Sequence, residues 1–185
     1  MKLKILTFNW HEPYLCLLSR LKHDFLVVEP EIAPNHCRRW DQNMRSIPKN
    51  FSLISMVKAN EMLMEGEIDC IIAHNVKDLI NVKDYSLPKI LVFHNCLSTE
   101  IKLSKNKVNR AEYLEKIEPL LANTTKVFIS EFKKTDWGME GHIILPGLDV
   151  SEYGGYTGHN EFVLRVGNMI KERDLMMGYT VSEII

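Results

Sequence analysis

The chain has 185 residues, of which 45% are hydrophobic and 25% charged. This composition is that of a globular protein and excludes a disordered or collagen-like chain. Lysine and arginine number 23 against 24 aspartates and glutamates, which gives a net charge of −1. We therefore predict no nucleic-acid partner, because nucleic-acid-binding domains carry a basic excess. A chain of this length buries enough apolar surface to fold without disulfides or a structural metal.

The cysteines indicate reduced thiols rather than a disulfide framework. They lie in apolar or loop surroundings without a CxxC pair: Cys16, Cys37, Cys70 and Cys96. Cys70 with His74, and His94 with Cys96, offer metal-binding atoms, but the two pairs lie in separate segments and lack the spacing of a zinc site. The N-terminal sequence lacks the features of a signal peptide, and no apolar run is long enough to span a membrane. We therefore predict a soluble, cytoplasmic protein with no metal.

Short apolar runs alternate with segments of helical spacing along the chain. The runs cover residues 4–8, 25–29, 68–73, 89–93, 126–129, 142–145 and 162–166. Each is rich in Ile, Val, Leu or Phe, as in strands that are buried on both faces. The helical segments cover residues 13–22, 55–65, 109–121, 131–137 and 171–185. This alternation predicts an α/β, Rossmann-like fold with an open, mostly parallel sheet and helices on both faces.

Two irregular stretches interrupt the alternation. Residues 31–50 contain two prolines and no period, which predicts a long loop. Residues 146–160 contain four of the nine glycines, which indicates a linker between domains. We therefore predict a first domain over residues 1–150, a linker over 151–161, and the first strand and helix of a second domain over 162–185. This last piece either packs onto the first domain or belongs to a longer protein.

Polar residues follow most of the predicted strands. In an open parallel sheet, ligands bind outside the carboxyl ends of the strands. The residues at this edge are Asn9, Trp10, His11, Glu12, Glu29, Pro30, His74, Asn75, His94, Asn95, Ser98, Ser130 and Glu131. Imidazole exchanges a proton or donates a hydrogen bond near neutral pH, so His11, His74 and His94 are the leading candidates for contacts with a sugar hydroxyl or a phosphate.

The same residue types also have a structural interpretation. Histidine and asparagine side chains at strand ends satisfy backbone groups of loops. Glu12 and Glu131 stand where helices begin, and the helix dipole favours a carboxylate there without any catalytic role. For these two glutamates the structural interpretation is the favoured one.

The sequence lacks the motifs of two large nucleotide-binding classes. The segment from Asn9 to Pro13 stands where a dinucleotide-binding protein has G-x-G-x-x-G, and no GxxxxGK[ST] is present. We therefore predict no NAD, FAD or other cofactor. Basic residues gather in two places, at Lys102, Lys105, Lys107 and Arg110, and at Arg38 and Arg39. Such runs are typical of solvated surface, and peripheral contact with an anionic membrane or a phosphorylated acceptor is the alternative.

Five landmarks along the chain resemble those of one enzyme family. They are Phe93-His94-Asn95 and residues 127–131, 143–149, 163–168 and 172–174. Their order and spacing resemble the retaining glycosyltransferases of the GT-B fold, of the group 1 or family 4 type. In that family an acceptor domain ends in a strand, a Pro/Asn-Gly-hydrophobic-Asp turn and a linker, and a donor domain opens with a strand, Val-Gly-Arg and Glu-Lys. The resemblance implies transfer of a sugar from a nucleotide-sugar donor to an acceptor hydroxyl.

The resemblance also implies roles for single residues. His94 matches the strand-end histidine that faces the donor sugar, and it is our catalytic candidate. Gly167 and Arg173 match residues that contact the donor diphosphate, together with Asn168, which stands where the family usually has arginine. The candidates for substrate binding are His11, Glu12, His74, Asn75, Asn95 and Ser130. Because most of the donor domain would be missing, we expect this chain alone to be inactive.

Two alternatives remain open. Nucleotide-sugar 2-epimerases share the GT-B architecture, and an epimerase turns over without an acceptor. The second alternative is a non-catalytic, Rossmann-like binding module in which the last helix packs across the sheet. An exposed, unfinished second domain would also favour a homo-oligomer.

Overall fold

The computed structural model describes residues 1–30, 39–103, 108–148, 150–152, 154–155, 158–159, 170–171, 174 and 179–183. The chain divides into two compact units, Met1–Gly147 and Leu148–Ile185. The described part of the second unit includes a 3-10 turn, Val150–Glu152, and a short helix, Tyr179–Ser182. The predicted strand 162–166 and most of the predicted helix 171–185 lie outside the described residues. The predicted division at residues 150 and 161 stays a prediction.

The strands described in the first unit form one open, entirely parallel sheet of seven strands. They are β1 (Lys4–Phe8), β2 (Asp24–Glu29), β3 (Phe51–Ser55), β4 (Cys70–Ala73), β5 (Lys89–Phe93), β6 (Thr124–Phe128) and β7 (His142–Ile143). Their order across the sheet is β3-β2-β1-β4-β5-β6-β7, so the strand order reverses between β1 and β4. The α/β, Rossmann-like fold predicted from the sequence is thereby confirmed.

Six α-helices are described in the first unit, and each of them follows a strand or another helix along the chain. They are α1 (Glu12–Leu18), α2 (Met56–Met64), α3 (Val76–Asn81), α4 (Leu97–Leu103), α5 (Arg110–Leu121) and α6 (Glu131–Trp137). Five of them begin after a residue whose side chain accepts a hydrogen bond from a backbone N–H of the first turn. These caps are His11, Ser55, Asn75, Asn109 and Ser130.

The central strands β1, β2, β4 and β5 are mostly buried because helices cover both faces of the sheet. Leu6 and Phe8 of β1 pack in one apolar cluster with residues of α2. Ile5, which points to the opposite face, packs in a second cluster with Leu15 of α1. Alternate residues of one strand thus enter different layers, as expected for a sheet with two covered faces. Among the described residues, none of the helices combines the length and the apolar character that crossing a bilayer requires.

The sequence prediction missed one strand and two helices. β3 lies directly after the predicted loop 31–50, in a segment that the prediction left unassigned. Helices α3 and α4 have six and seven residues, and both lie in segments to which the prediction assigned no helix. The described second half of the loop, residues 39–50, contains neither helix nor strand, as predicted.

Candidate functional site

A cavity of about 420 Å³ lies at the carboxyl ends of β4 and β5, next to the point where the strand order reverses. Its volume falls in the range that holds small molecules, and its place is the one where open α/β sheets bind ligands. The lining residues used below are Trp10, His74, His94, Asn95, Glu100 and Tyr113. The first three follow β1, β4 and β5, whereas Glu100 belongs to α4 and Tyr113 to α5.

Two imidazoles in this cavity are joined in one hydrogen-bonded chain. Nδ1 of His74 lies 3.2 Å from Nε2 of His94. On its other side, Nε2 of His74 lies 2.9 Å from Oγ1 of Thr7, and that hydroxyl donates to the carbonyl of Ile72 at 2.9 Å. Thr7 and His74 are 0% and 3% exposed, so bulk water does not compete for these hydrogen bonds.

Burial keeps both imidazoles uncharged at neutral pH. It lowers the pKa of His74 to about 3, with a smaller contribution from the neighbouring His94. Burial likewise lowers the pKa of His94 to about 4, with smaller electrostatic contributions from His11 and Lys133. Desolvation disfavours the imidazolium form, which explains the direction of both shifts. Each ring therefore offers one N–H donor and one lone pair.

Aromatic rings enclose the histidine pair. Trp10 stacks on His94 with ring centroids 4.2 Å apart and 28° between the planes. Tyr14 of α1 meets the same imidazole edge-on, with centroids 4.6 Å apart and 88° between the planes. Burial raises the pKa of Tyr14, so its phenol stays protonated at neutral pH. The indole and the phenol are the neighbours that exclude water from His94.

Asp78 anchors the segment that carries His74. Its Oδ2 accepts hydrogen bonds from the backbone N–H of His74 at 2.9 Å and from Nδ2 of Asn75 at 3.1 Å. In return, the backbone N–H of Asp78 donates to Oδ1 of Asn75 at 3.0 Å, which caps α3. Burial raises the pKa of Asp78 to about 7, although the hydrogen bonds act in the opposite direction. This reciprocal arrangement fixes both the start of α3 and the backbone of His74.

A second group of polar atoms comes from the residues after β5. Nδ2 of Asn95 donates to Oε1 of Glu100 at 2.7 Å, and the carbonyl of Asn95 accepts from Nε1 of Trp137 at 2.9 Å. Burial, and secondly the charge of Glu100, raise the pKa of Tyr113 to about 12. The cavity therefore holds a phenol that donates and a carboxylate that accepts, besides its two neutral imidazoles.

The structure brings only some of the predicted site residues together. His74, Asn75, His94 and Asn95 line the cavity. The other three described candidates lie outside that lining, and each makes a local structural contact. His11 and Ser130 cap helices α1 and α6, and buried Glu12 accepts a hydrogen bond from the backbone of Asp41 at 3.3 Å. Gly167, Asn168 and Arg173 lie outside the described residues.

Sequence reasoning missed several residues of the site. Thr7 is a polar side chain among the apolar residues of β1, a signal that was available in the sequence. The spacing of Asn75 and Asp78 is that of a helix cap with a carboxylate three residues later, a second available signal. Glu100 and Tyr113 lie on helices far from any strand end, so nothing in the local pattern predicts that they face the same cavity.

Comparison with known proteins does not assign a family. No protein-family model matches this chain, and no curated protein is significantly similar to it. Within the part of the chain that the structure describes, no three or more His, Cys, Asp or Glu side chains are grouped so that they could hold a metal ion. A functional proposal therefore rests on the fold and on the chemistry of the cavity.

Proposed function

We propose that this chain forms the acceptor-binding part of a glycosyltransferase that moves a sugar from a nucleotide-sugar donor to an acceptor hydroxyl. One observation carries the proposal: the neutral imidazole of His94 stands in a cavity at the carboxyl edge of the sheet, stacked on Trp10 and hydrogen-bonded to His74. His94 is also the residue that the family resemblance places opposite the transferred sugar.

The chemistry of the cavity suits a sugar. Sugar hydroxyls both donate and accept hydrogen bonds, and the cavity offers groups of both kinds in Tyr113, Glu100 and His94. The aromatic rings of Trp10 and Trp137 supply apolar surface for the C–H face of a sugar ring. A few polar groups among aromatic walls are typical of sites for small ligands.

His94 would assist transfer as a neutral base or hydrogen-bond acceptor. A neutral imidazole accepts the proton of a hydroxyl, whereas an imidazolium has no lone pair. On the donor side, the departing nucleotide diphosphate develops negative charge that fixed donors and cations stabilise. Gly167, Asn168 and Arg173 are proposed for that role by resemblance alone.

The test is sugar binding to the cavity, followed by NMR spectroscopy of the labelled chain. We expect monosaccharides or nucleotide sugars to shift the resonances of His94 and Trp10. The His94→Asn variant keeps a polar side chain and should weaken this binding about tenfold, as expected when a buried hydrogen-bonding partner is lost. The control is His142→Asn, because His142 lies exposed on β7. The proposal fails if no sugar shifts these resonances, or if both variants bind equally well.

A further inference from the structure

We propose that Thr7 and His74 are positioning residues that hold His94 in one neutral tautomer, in which Nε2 carries the proton and Nδ1 carries the lone pair. The inference goes one step beyond the proposed function, because it assigns the direction of every hydrogen bond in the buried chain. It rests on the proposed function only for the identity of the ligand group that meets His94.

The direction of these hydrogen bonds is set at the buried end of the series, where Thr7 contacts the carbonyl of Ile72. The carbonyl of Ile72 can only accept, and the hydroxyl of Thr7, 2.9 Å away, has a single proton to give. That proton is used on the carbonyl. The oxygen of Thr7 must therefore accept from Nε2 of His74, which lies 2.9 Å away. The tautomer of His74 follows: Nε2 is protonated and Nδ1 is not.

The tautomer of His74 in turn determines the tautomer of His94. Nδ1 of His74 has a lone pair and no proton, so Nε2 of His94, 3.2 Å away, must be the donor. A neutral imidazole has only one N–H, which leaves the lone pair of His94 on Nδ1. Among the described residues, Nδ1 of His94 has no hydrogen-bond partner, and His94 lines the cavity.

The reverse direction is disfavoured by geometry. If Thr7 gave its proton to His74, its oxygen would face the carbonyl of Ile72 at 2.9 Å with no proton between the two acceptors. Both oxygens are shielded from solvent, because Thr7 is fully buried. A buried pair of acceptors without a proton costs the full desolvation of the unsatisfied group. Asp78 strengthens the arrangement by holding the backbone N–H of His74.

The tautomer determines which ligand group His94 can meet. A lone pair on Nδ1 accepts from an O–H or N–H group, so a hydroxyl of the proposed sugar fits. A phosphate or carboxylate oxygen that is ionised at neutral pH has no proton to donate to this nitrogen. We expect the position beside His94 to accept a hydroxyl and to reject an anionic oxygen.

The experiment is a long-range 1H–15N correlation spectrum of the histidines of the uniformly labelled chain at pH 7. The two neutral tautomers give different patterns, so the spectrum reports which nitrogen of His94 is protonated. We expect the Nε2–H pattern in the unchanged chain. The opposite tautomer, or an average of both, in that chain would overturn the proposal without any variant.

Variants test the part played by Thr7. Thr7→Val keeps the shape of the side chain and removes the hydroxyl, so His94 should lose its single-tautomer pattern. Thr7→Ser keeps the hydroxyl and should restore it, which a role in packing alone does not predict. Thr125→Val is the matched control, because Thr125 lies exposed on β6. A single Nε2–H pattern that persists in folded Thr7→Val would overturn the role of Thr7. If Thr7→Val does not fold, Thr7→Ser provides the test. A tautomer pattern of His94 that is altered in Thr7→Ser would overturn the positioning role of Thr7.

Ligand addition separates this inference from the proposed function. The tautomer is measured without any ligand, so this test does not depend on the proposed function. Titration with glucose should then shift Nδ1 of His94, whereas inorganic sulfate, which carries no proton at pH 7, should not. A shift with sulfate instead of glucose would overturn the inferred ligand class. An intact tautomer with no response to any sugar would overturn the proposed function and leave the positioning role in place.

Discussion

Nδ1 of His74 lies 3.2 Å from Nε2 of His94, although 20 residues separate the two along the chain. The contact follows from the sheet, because β4 and β5 are adjacent and parallel, with Ala73 paired with Leu91. Residues that follow adjacent parallel strands meet at the same edge. Burial disfavours protonation of both imidazoles, so the stability of the fold depends on pH.

We predict that the free energy of unfolding falls as the pH is lowered from 6.5 towards 4. The folded-state pKa values of His74 and His94, about 3 and about 4, lie below the ordinary value of 6.5. In this window the unfolded chain binds more protons than the folded chain, so stability is full above pH 6.5 and decreases below it. Each histidine contributes up to about 1.4 kcal/mol per pH unit.

Asp78 opposes this trend. Its folded-state pKa of about 7 lies above the ordinary value of 3.8, so between these values the folded chain binds the extra proton and gains stability as the pH falls. One carboxyl against two imidazoles leaves a net loss of about 1.4 kcal/mol per pH unit. Urea unfolding at pH 6.5, 5.5 and 4.5 measures this slope. A stability that rises towards acid would contradict the burial of the histidine pair.

The sequence was sufficient for most of the sheet and for the edge that carries the cavity. Continuous apolar runs with short polar ends predicted β1, β2, β4 and β5, and with them the position of His74 and His94 at one edge of the sheet. Hydrophobic period and residue composition can be read from a short stretch of sequence, and they were enough to predict these four strands. Three elements were not predicted, because their stability depends on packing rather than on their own sequence pattern: the helices α3 and α4 and the strand β3.

Local sequence patterns also could not predict which strand-end residues form the site. His11 and Ser130 share the strand-end position of His94, and only packing decides that they cap helices instead of lining the cavity. Tyr113 is the fourth residue of α5, and it packs with the apolar face of that helix. That this face borders the cavity depends on the way in which α5 packs on the sheet, which no local pattern encodes.

Trp10 should control the pKa of His94. Its indole covers the imidazole at a centroid distance of 4.2 Å, and burial is the main reason for the low pKa of His94. In the Trp10→Ala variant, water should reach the ring and the pKa of His94 should rise from about 4 towards 6.5. Titration of the histidine C–H resonances measures this shift. Phe132→Ala, which removes an aromatic ring that is 73% exposed on α6, should leave the pKa unchanged. Equal pKa values in the unchanged chain and Trp10→Ala would show that the indole is not the barrier to water.

Glu100 should act on Tyr113 through its charge. Burial is the larger cause of the phenol pKa of about 12, and the carboxylate of Glu100 adds to it. Glu100→Gln should therefore lower this pKa while leaving it above the ordinary value of 10.0, since the burial remains. NMR titration of the tyrosine ring measures the change. Glu115→Gln is the matched control, because Glu115 lies exposed on the same helix as Tyr113. A similar shift in both variants would contradict a local effect of Glu100.

Gly141 should be intolerant of any side chain, because the chain passes close to β6 there. A Cβ atom at this position would lie 2.7 Å from the carbonyl oxygen of Lys126 and 2.8 Å from Cε2 of Phe128. Gly141→Ala should destabilise the fold by about 1–3 kcal/mol, the usual cost of overpacking. Gly147→Ala is the control, since a Cβ there meets nothing within 4 Å. Urea unfolding of both variants at pH 7 measures the difference. If the two unfold at the same urea concentration, the close approach of residue 141 to β6 is wrong, and with it the placement of β7 beside β6.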